Sequence, residues 1–172
     1  MERIGSRTTH RGKLISVRLD EIRRADGSTV EREVVSHPGA VAVLAHDDSH
    51  FFMVRQPREA VGEESLLELP AGKLDVEGES PLDCAKRELV EEVGIEADRW
   101  RELKLIYTTP GFTDEVVYVF LATSLRQVAP DPSPGERIEV VRRPLEELDE
   151  AIEACVDAKS LVGLLLFRAL RD

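Results

Sequence analysis

The sequence predicts an α/β fold in which a mixed β-sheet is sandwiched between helices (α/β/α) and preceded by an N-terminal β-hairpin. Three observations predict it. The length of 172 residues suits one domain with a short arm, at roughly 150 residues per domain. Short apolar runs bounded by turn residues, such as Ala40 to Ala45, are typical of buried strands. One segment, 81–93, has the apolar period and the end residues of a helix.

The hairpin is predicted over residues 13–36, where partly alternating apolar residues flank an Asp26-Gly27 turn. Proline and glycine predict loop and turn for most of 56–79 and for 129–136. Further strands are predicted from apolar runs at 51–54, 66–69, 103–107, 116–122 and 138–142. We therefore divide the chain into an arm, 1–36, and a main domain, 37–172.

Helix ends are predicted from residues that cap exposed backbone groups. For the segment 81–93, Ser80 suits the N-cap, Pro81 the first helical position and Gly94 the C-terminal stop. The last part of the chain is predicted to be helical from Pro144 to about Asp157 and then, capped by Ser160, to about Leu170.

Composition excludes several functional classes. Lys plus Arg is 23 and Asp plus Glu is 34, so the formal net charge is −11, which argues against a general nucleic-acid binder. No apolar run reaches the ~18 residues of a membrane span. The first residues lack the apolar core of a secretion signal, so we expect a cytoplasmic protein. In that compartment Cys84 and Cys155 are expected to be free thiols.

Three carboxylates of the predicted helix, Glu88, Glu91 and Glu92, are spaced i, i+3 and i+4 and therefore form one patch. Such a patch destabilises a helix, because like charges repel and the C-terminal half disfavours negative charge. Hard oxygen ligands at this spacing suit Mg²⁺ or Mn²⁺, which would also offset the negative charge of an anionic substrate. The alternative is an ordinary solvated acidic face.

The same helix has a predicted core face made of Leu82, Ala85, Leu89 and Val93. Cys84 projects near the carboxylate patch and is expected to be a partly buried thiol. Arg87 is expected to point to a different side of the helix from Glu88, where it could pair with Glu79 and hold the preceding loop.

These residues resemble a known motif. The string is Gly72, six residues, Glu79, seven residues, and then Arg87-Glu88-Leu89-Val90-Glu91-Glu92-Val93-Gly94-Ile95. It resembles the Nudix box of the Nudix hydrolases, whose first gap usually has five residues. The extra residue lies in the turn around 75–78, and the helical half is intact. The resemblance implies a Nudix fold with Gly72, Glu79 and Arg87 as structural residues of the box.

Most of residues 12–170 resembles the ADP-ribose pyrophosphatase branch of this family. The segments that carry the likeness are His37-Pro38-Gly39-Ala40-Val41, Glu68-Leu69-Pro70-Ala71-Gly72 and Thr109-Pro110-Gly111-Phe112-Thr113-Asp114-Glu115. The resemblance implies Mg²⁺-dependent hydrolysis of the diphosphate of ADP-ribose to AMP and ribose 5-phosphate. It also implies a homodimer that exchanges its N-terminal strands.

The resemblance assigns roles to individual residues. The metal ligands would be Glu88, Glu91, Glu92 and the carbonyl of Ala71, with Glu91 also among the catalytic residues. The general base would be a glutamate on a later loop; Glu136 matches best and Glu139 is the second candidate.

Substrate contacts are implied as well. Arg58, and less well Arg55, would bind the phosphates, since arginine suits bidentate phosphate contact. The other implied contacts are Pro110, Gly111, Phe112 and Glu115. For each of these the alternative is a plain structural or solvated residue.

Two functional alternatives stay open. One is a Nudix hydrolase of another nucleoside diphosphate derivative, such as a sugar nucleotide, NADH or FAD, because the box determines the phosphate chemistry and not the substrate. The other is a Nudix module that binds ADP-ribose without cleaving it. Such modules usually lack box carboxylates, whereas this sequence retains them all.

Overall fold

The computed structural model describes residues 1–129 and 137–171. Among these residues, no helix combines the length and the apolar character needed to cross a membrane. The strands are β1 Glu2–Arg11, β2 Ser16–Arg23, β3 Thr29–Ser36, β4 Ala40–His46, β5 His50–Arg58, β6 Glu63–Glu68, β7 Ala71–Lys73, β8 Ile95–Tyr107, β9 Val116–Gln127 and β10 Glu139–Pro144. The helices are α1 Pro81–Val93, α2 Leu148–Ala154 and α3 Ala158–Arg171, with 3₁₀ turns at Glu59–Val61 and Leu145–Glu147.

The chain forms two compact units. The first contains Met1–Gly39 and Tyr107–Val116, and the second contains Ala40–Ile106 and the described part of Val117–Asp172. The second unit holds a mixed sheet with the strand order β10-β5-β4-β9-β8. In this sheet β4 runs parallel to β9 and antiparallel to β5 and β7. The α/β prediction is therefore confirmed.

Strand β4 lies at the centre of this sheet because its side chains alternate between two apolar layers. Val41, Val43 and Ala45 pack in one cluster with Ala85 and Leu89 of α1. Leu44 faces the other way, into a cluster with residues of α2 and α3 that include Ala151, Leu164 and Phe167. A strand covered on both faces reads as a continuous apolar run, as the sequence of this strand does.

Helix α1 has the predicted ends. Ser80 Oγ accepts a hydrogen bond from the Asp83 N–H, Pro81 is at the N-terminus and Gly94 adopts the left-handed conformation at φ 69°. The predicted cap of α3 is wrong. The N-cap is Asp157, whose carboxylate accepts a hydrogen bond from the Ser160 N–H at 3.0 Å. Ser160 itself lies inside the helix and has no exposed surface.

Two other expectations are corrected. Residues 56–79 contain more strand than predicted, since β5 extends to Arg58 and is followed by β6 and β7. The predicted strands at 51–54 and 66–69 correspond to parts of β5 and β6. The polar ends of these two strands, and the whole of β7, have no apolar alternation and were not predicted. The α2 region is also shorter than predicted, since the regular helix covers only Leu148–Ala154.

The first unit contains a three-stranded antiparallel sheet with the order β1-β2-β3. The predicted hairpin corresponds to β2 and β3, whereas β1 was not predicted, because its residues are polar and almost all exposed. Buried Asp20 accepts hydrogen bonds from Ser6 at 2.6 Å and from Arg18 Nε at 2.9 Å. These contacts link Ser6 of β1 to Asp20 and Arg18 of β2 through polar groups.

Candidate active site

The site is formed where β7 passes under α1. Two strands pair with the same edge of β4. Strand β7 pairs with its first residues, and β5 pairs with its last residues, Ala45 and His46. Gly72 of β7 pairs with Val41. A Cβ on Gly72 would lie 1.9 Å from the carboxyl carbon of Glu88, so any other residue here would displace the Glu88 carboxylate from its present position. The glycine therefore places the Glu88 carboxylate directly against the β7 backbone.

Glu92 makes the second contact between α1 and β7. Its Oε2 accepts a hydrogen bond from the Ala71 N–H at 3.0 Å. The helical projection placed Glu92 on a flank, but the residue is only 7% exposed. A carboxylate is held this deep only where donors or cations compensate for lost hydration.

Arg87 holds the rest of the acidic patch. Its Nε and Nη2 donate to the two oxygens of Glu79 at 2.9 and 3.0 Å, which is the predicted ion pair. Its Nη1 also donates to Glu88 Oε1 at 2.7 Å and to Glu91 Oε2 at 2.9 Å. The expectation that Arg87 points away from Glu88 is therefore wrong. The hydrogen bond to Glu79 raises the pKa of Arg87, and the nearby Glu88 adds to this effect.

The extra residue of the first gap is accommodated in a turn. The Glu79 N–H donates to the Val76 carbonyl at 3.2 Å, and Gly78 adopts φ 81° within this turn. Because the Glu79–Arg87 pair still forms, the longer gap leaves the loop attached to α1.

The donor set fits a hard divalent cation. Glu88, Glu91 and Glu92 supply carboxylate oxygens beside the Ala71 backbone, and such oxygens suit Mg²⁺. Within residues 1–129 and 137–171, no three acidic, histidine or cysteine side chains are arranged so that they could hold a metal ion without moving. In this structure the Nη1 of Arg87 donates to both Glu88 and Glu91. A cation that binds here competes with Arg87 for those oxygens.

Cys84 lies on the same helix and is fully buried, not partly buried as expected. Its thiol lies 3.4 Å from the Lys73 carbonyl, and burial raises its pKa to about 12. A thiol in this state is a poor nucleophile. Cys84 and Cys155 are both free, as predicted.

We expect Gly72→Ala to weaken divalent-cation binding while leaving the fold largely intact. The added methyl group overlaps the Glu88 carboxylate and must displace it, whereas the side chain end can move without opening the core. The dissociation constant for Mn²⁺, measured by calorimetry, should rise about tenfold, as for altered support of a metal ligand. An unchanged constant with a normal melting temperature would contradict the assigned contact.

Arg58, a predicted phosphate ligand, is engaged elsewhere. Its Nε and Nη2 donate to the two oxygens of Glu68 at 2.6 and 2.9 Å. Glu68 is completely buried, and Lys159 of α3 donates to it at 2.5 Å. The Glu68 hydrogen bond raises the pKa of Arg58, and the charges of Glu92 and Asp157 raise it further. The arginine therefore belongs to a buried ion network next to the acidic patch.

Arg55 and Glu139 are brought together as directly paired residues of β5 and β10. Both line a cavity of about 730 Å³ that also contacts Arg137 and Ser65. Glu136, the first candidate for the general base, lies outside the described residues.

The remaining predicted contacts lie in the first unit. Phe112 is 55% exposed, and its carbonyl accepts the Val35 N–H at 2.7 Å. Glu115 accepts a hydrogen bond from Thr108 Oγ1 at 2.6 Å, and its other oxygen lies 3.3 Å from His37 Nδ1. Pro110 and Gly111 belong to the same loop, in the turn that the Phe112 N–H closes by donating to Thr109 at 3.2 Å.

Sequence reasoning missed Glu68, Lys159, Asp157 and Ser160, which form the buried network beneath the Ala71 segment. One signal was present. Glu68 is a lone carboxylate inside the apolar run Leu66-Leu67-Glu68-Leu69, and a charge in such a run needs a buried partner. One partner, Arg58, is 10 residues away, but the other, Lys159, is 91 residues away and leaves no local pattern.

Comparison with known proteins identifies the family of the chain. The NUDIX domain profile matches residues 35–162, and the profile of the nucleoside diphosphate sugar hydrolase N-terminal domain matches residues 1–35. An ADP-ribose pyrophosphatase of Mycobacterium tuberculosis is 51% identical over 128 residues, which are 74% of this chain and 61% of that protein. This chain thus matches less than two thirds of that relative's length.

Other relatives extend over more of their own length. An ADP-ribose pyrophosphatase of Bacillus subtilis is 40% identical over 158 residues, which are 89% of this chain and 84% of that protein. A solved structure described as an ADP compounds hydrolase superposes with a TM-score of 0.85 at 24% identity, covering 98% of this chain and 92% of that one, and shares the fold. With the helical half of the box intact and a family profile that covers most of its length, the chain belongs to the Nudix family.

Proposed function

We propose that this protein hydrolyses the diphosphate of ADP-ribose, with Mg²⁺, to AMP and ribose 5-phosphate. The observation that carries the proposal is the convergence of Glu88 and Glu92 on the β7 backbone at Gly72 and Ala71. The names of the two relatives described above support the choice of substrate.

The residues of the chain have distinct proposed roles. Glu88, Glu91, Glu92 and the Ala71 carbonyl hold the cation, with Mn²⁺ as the substitute metal. When bound, the cation neutralises the diphosphate and lowers the pKa of a bound water. Gly72 allows the close approach, and the Glu79–Arg87 pair holds the loop to α1.

A general base must remove a proton from the attacking water. We assign this role to Glu136, with Glu139 as the second candidate and Glu91 as a residue that acts both on the metal and in catalysis. Arg55 and Arg58 are proposed to bind phosphate, and Arg55 lies beside a cavity large enough for part of a nucleotide. Pro110, Gly111, Phe112 and Glu115 are proposed to contact the rest of the substrate.

The arm at 1–36 is proposed to be exchanged in a homodimer. Its first strand is an edge strand with exposed residues, and such an edge presents backbone groups that can pair with a second chain. We also propose that the protein acts in the cytoplasm, where the two free thiols remain reduced.

A time course of the purified protein with ADP-ribose and Mg²⁺, analysed by HPLC, tests the function. ADP-glucose, NADH and FAD are run in parallel. We expect AMP and ribose 5-phosphate, formed fastest from ADP-ribose. Faster cleavage of another compound would move the assignment to that substrate. Binding of ADP-ribose without cleavage of any compound would show a non-catalytic Nudix module.

A further inference from the structure

We propose that Asp157, which caps α3, and Ser160, in the first turn of α3, are positioning residues for the metal site, because they hold the segment Leu69–Ala71 in place. This inference rests on the proposed function, which assigns a metal-binding role to Ala71. It adds a part of the chain that lies far in sequence from the Nudix box.

Each residue of the segment is held by a different element. The Leu69 N–H donates to Ser160 Oγ of α3 at 2.7 Å. The Pro70 carbonyl accepts the Val43 N–H of β4 at 2.8 Å. The Ala71 N–H donates to Glu92 of α1 at 3.0 Å. The backbone that carries Ala71 is therefore fixed from three directions, and α3 supplies one of them.

The contact from α3 is itself held in one geometry. Ser160 donates its hydroxyl proton to Asp157 at 2.5 Å, so that a lone pair of Oγ faces the Leu69 N–H. Asp157 also accepts from the Ser160 N–H at 3.0 Å and from Lys159 at 2.9 Å. Lys159 also donates a hydrogen bond to Glu68. The Asp157 carboxylate thus determines the orientation of the Ser160 hydroxyl, which would otherwise rotate freely.

The position of Ser160 indicates that its hydroxyl has a specific role. The residue has no exposed surface and lies on the helix face of Gly163, Leu164 and Phe167, where alanine would satisfy the packing. The hydroxyl accepts a hydrogen bond from a backbone N–H, which can move only if the main chain moves. Between that N–H and Ala71 stands Pro70, whose ring restricts φ and passes a displacement on instead of absorbing it.

Small displacements matter at such a site, because a shift of ~1 Å in a positioned group can change a rate by about 100-fold. Without the Ser160 hydroxyl, the Leu69 N–H is buried and unpaired, and the segment is expected to shift to find another acceptor. Ala71 would move relative to Glu92, and the metal ligands would no longer converge as well.

The test compares Ser160→Ala with Phe167→Leu. Phe167 lies on the same face of α3, about two turns later. It packs in the same apolar cluster as Leu69, but its side chain has no polar atom that could bond the Leu69 N–H, so its truncation destabilises the core and leaves that hydrogen bond in place. Binding of Mn²⁺ to the protein without nucleotide is measured by electron paramagnetic resonance, together with melting temperature and the steady-state constants for ADP-ribose. We expect Ser160→Ala to raise the Mn²⁺ dissociation constant about tenfold. The Phe167→Leu variant should lower the melting temperature and leave that constant unchanged.

Equal Mn²⁺ affinities in wild type and Ser160→Ala would overturn the inference, and so would equal losses in Ser160→Ala and Phe167→Leu. Asp157→Asn provides a second variant should Ser160→Ala not fold. It weakens the acceptor that orients the hydroxyl, so we expect a smaller rise of the same sign, and no rise would also overturn the inference. A wild-type protein that neither binds Mn²⁺ nor cleaves any nucleotide would instead remove the proposed function.

Discussion

Glu92→Gln is expected to lower kcat for ADP-ribose about 10³-fold while leaving the fold intact. The amide oxygen of glutamine can still accept the Ala71 N–H, so the contact between α1 and β7 is retained. What is lost is a negative charge that the proposed cation requires. A metal contributes several kcal/mol to the stabilisation of transition-state charge, and ~4 kcal/mol corresponds to a factor of about 10³.

Glu96→Gln is the matched control for this experiment. It makes the same change in a partly exposed residue just beyond α1, where Glu96 pairs with Arg126. Its kcat should equal that of the wild type. A Glu92→Gln variant with near-normal kcat would remove Glu92 from the metal ligands. If the variant is slow and its rate does not rise with added Mg²⁺, the loss is due to the missing charge and not to weaker binding of the metal.

Glu68→Gln is expected to lower the free energy of unfolding by about 3–5 kcal/mol at neutral pH, as for a broken buried ion pair. The substitution keeps the shape of the side chain but leaves Arg58 and Lys159 facing a neutral amide. Chemical denaturation of both proteins measures the difference. Glu64→Gln, on the exposed part of the same strand, should change stability little and serves as the control.

The pH dependence gives this prediction a second readout. Burial raises the pKa of Glu68, but the hydrogen bond from Arg58 and the charge of Lys159 outweigh burial, so its pKa lies below the ordinary 4.5. A carboxylate whose pKa is lower in the folded state stabilises the fold fully at a pH above its pKa in the unfolded chain. This stabilisation is lost as the pH falls through its pKa in the folded state. The stability gap between wild type and Glu68→Gln should therefore be full above about pH 4.5 and shrink below it. A gap independent of pH would show that the charge of Glu68 is not its cause.

Features with a local cause could be predicted from the sequence. The ends of α1 follow from Ser80, Pro81 and Gly94, and all three act as expected. The burial of β4 follows from its continuous apolar run. The Glu79–Arg87 pair could be predicted because one partner lies on a helix of known phase and the other on the loop just before it.

Features with a distant cause could not be predicted. The depth of Glu92 depends on the Ala71 N–H, which β7 brings to the helix from 21 residues away. The engagement of Arg58 depends on Glu68 and Lys159, and only the fold brings these together. The cap of α3 was misassigned because Asp157 and Ser160 are both good N-cap residues, and burial of Ser160 decides between them.

The turn at Val76–Glu79 has a consequence for how relatives of this protein are found. The residue count between Gly72 and Glu79 differs from the usual one, yet the guanidinium of Arg87 still meets the Glu79 carboxylate. What must be retained is therefore the ion pair between this carboxylate and this arginine, and a surface turn can become longer without breaking it. A search that demands a constant spacing here would discard sequences such as this one, whereas a search anchored on the helical half would retain them.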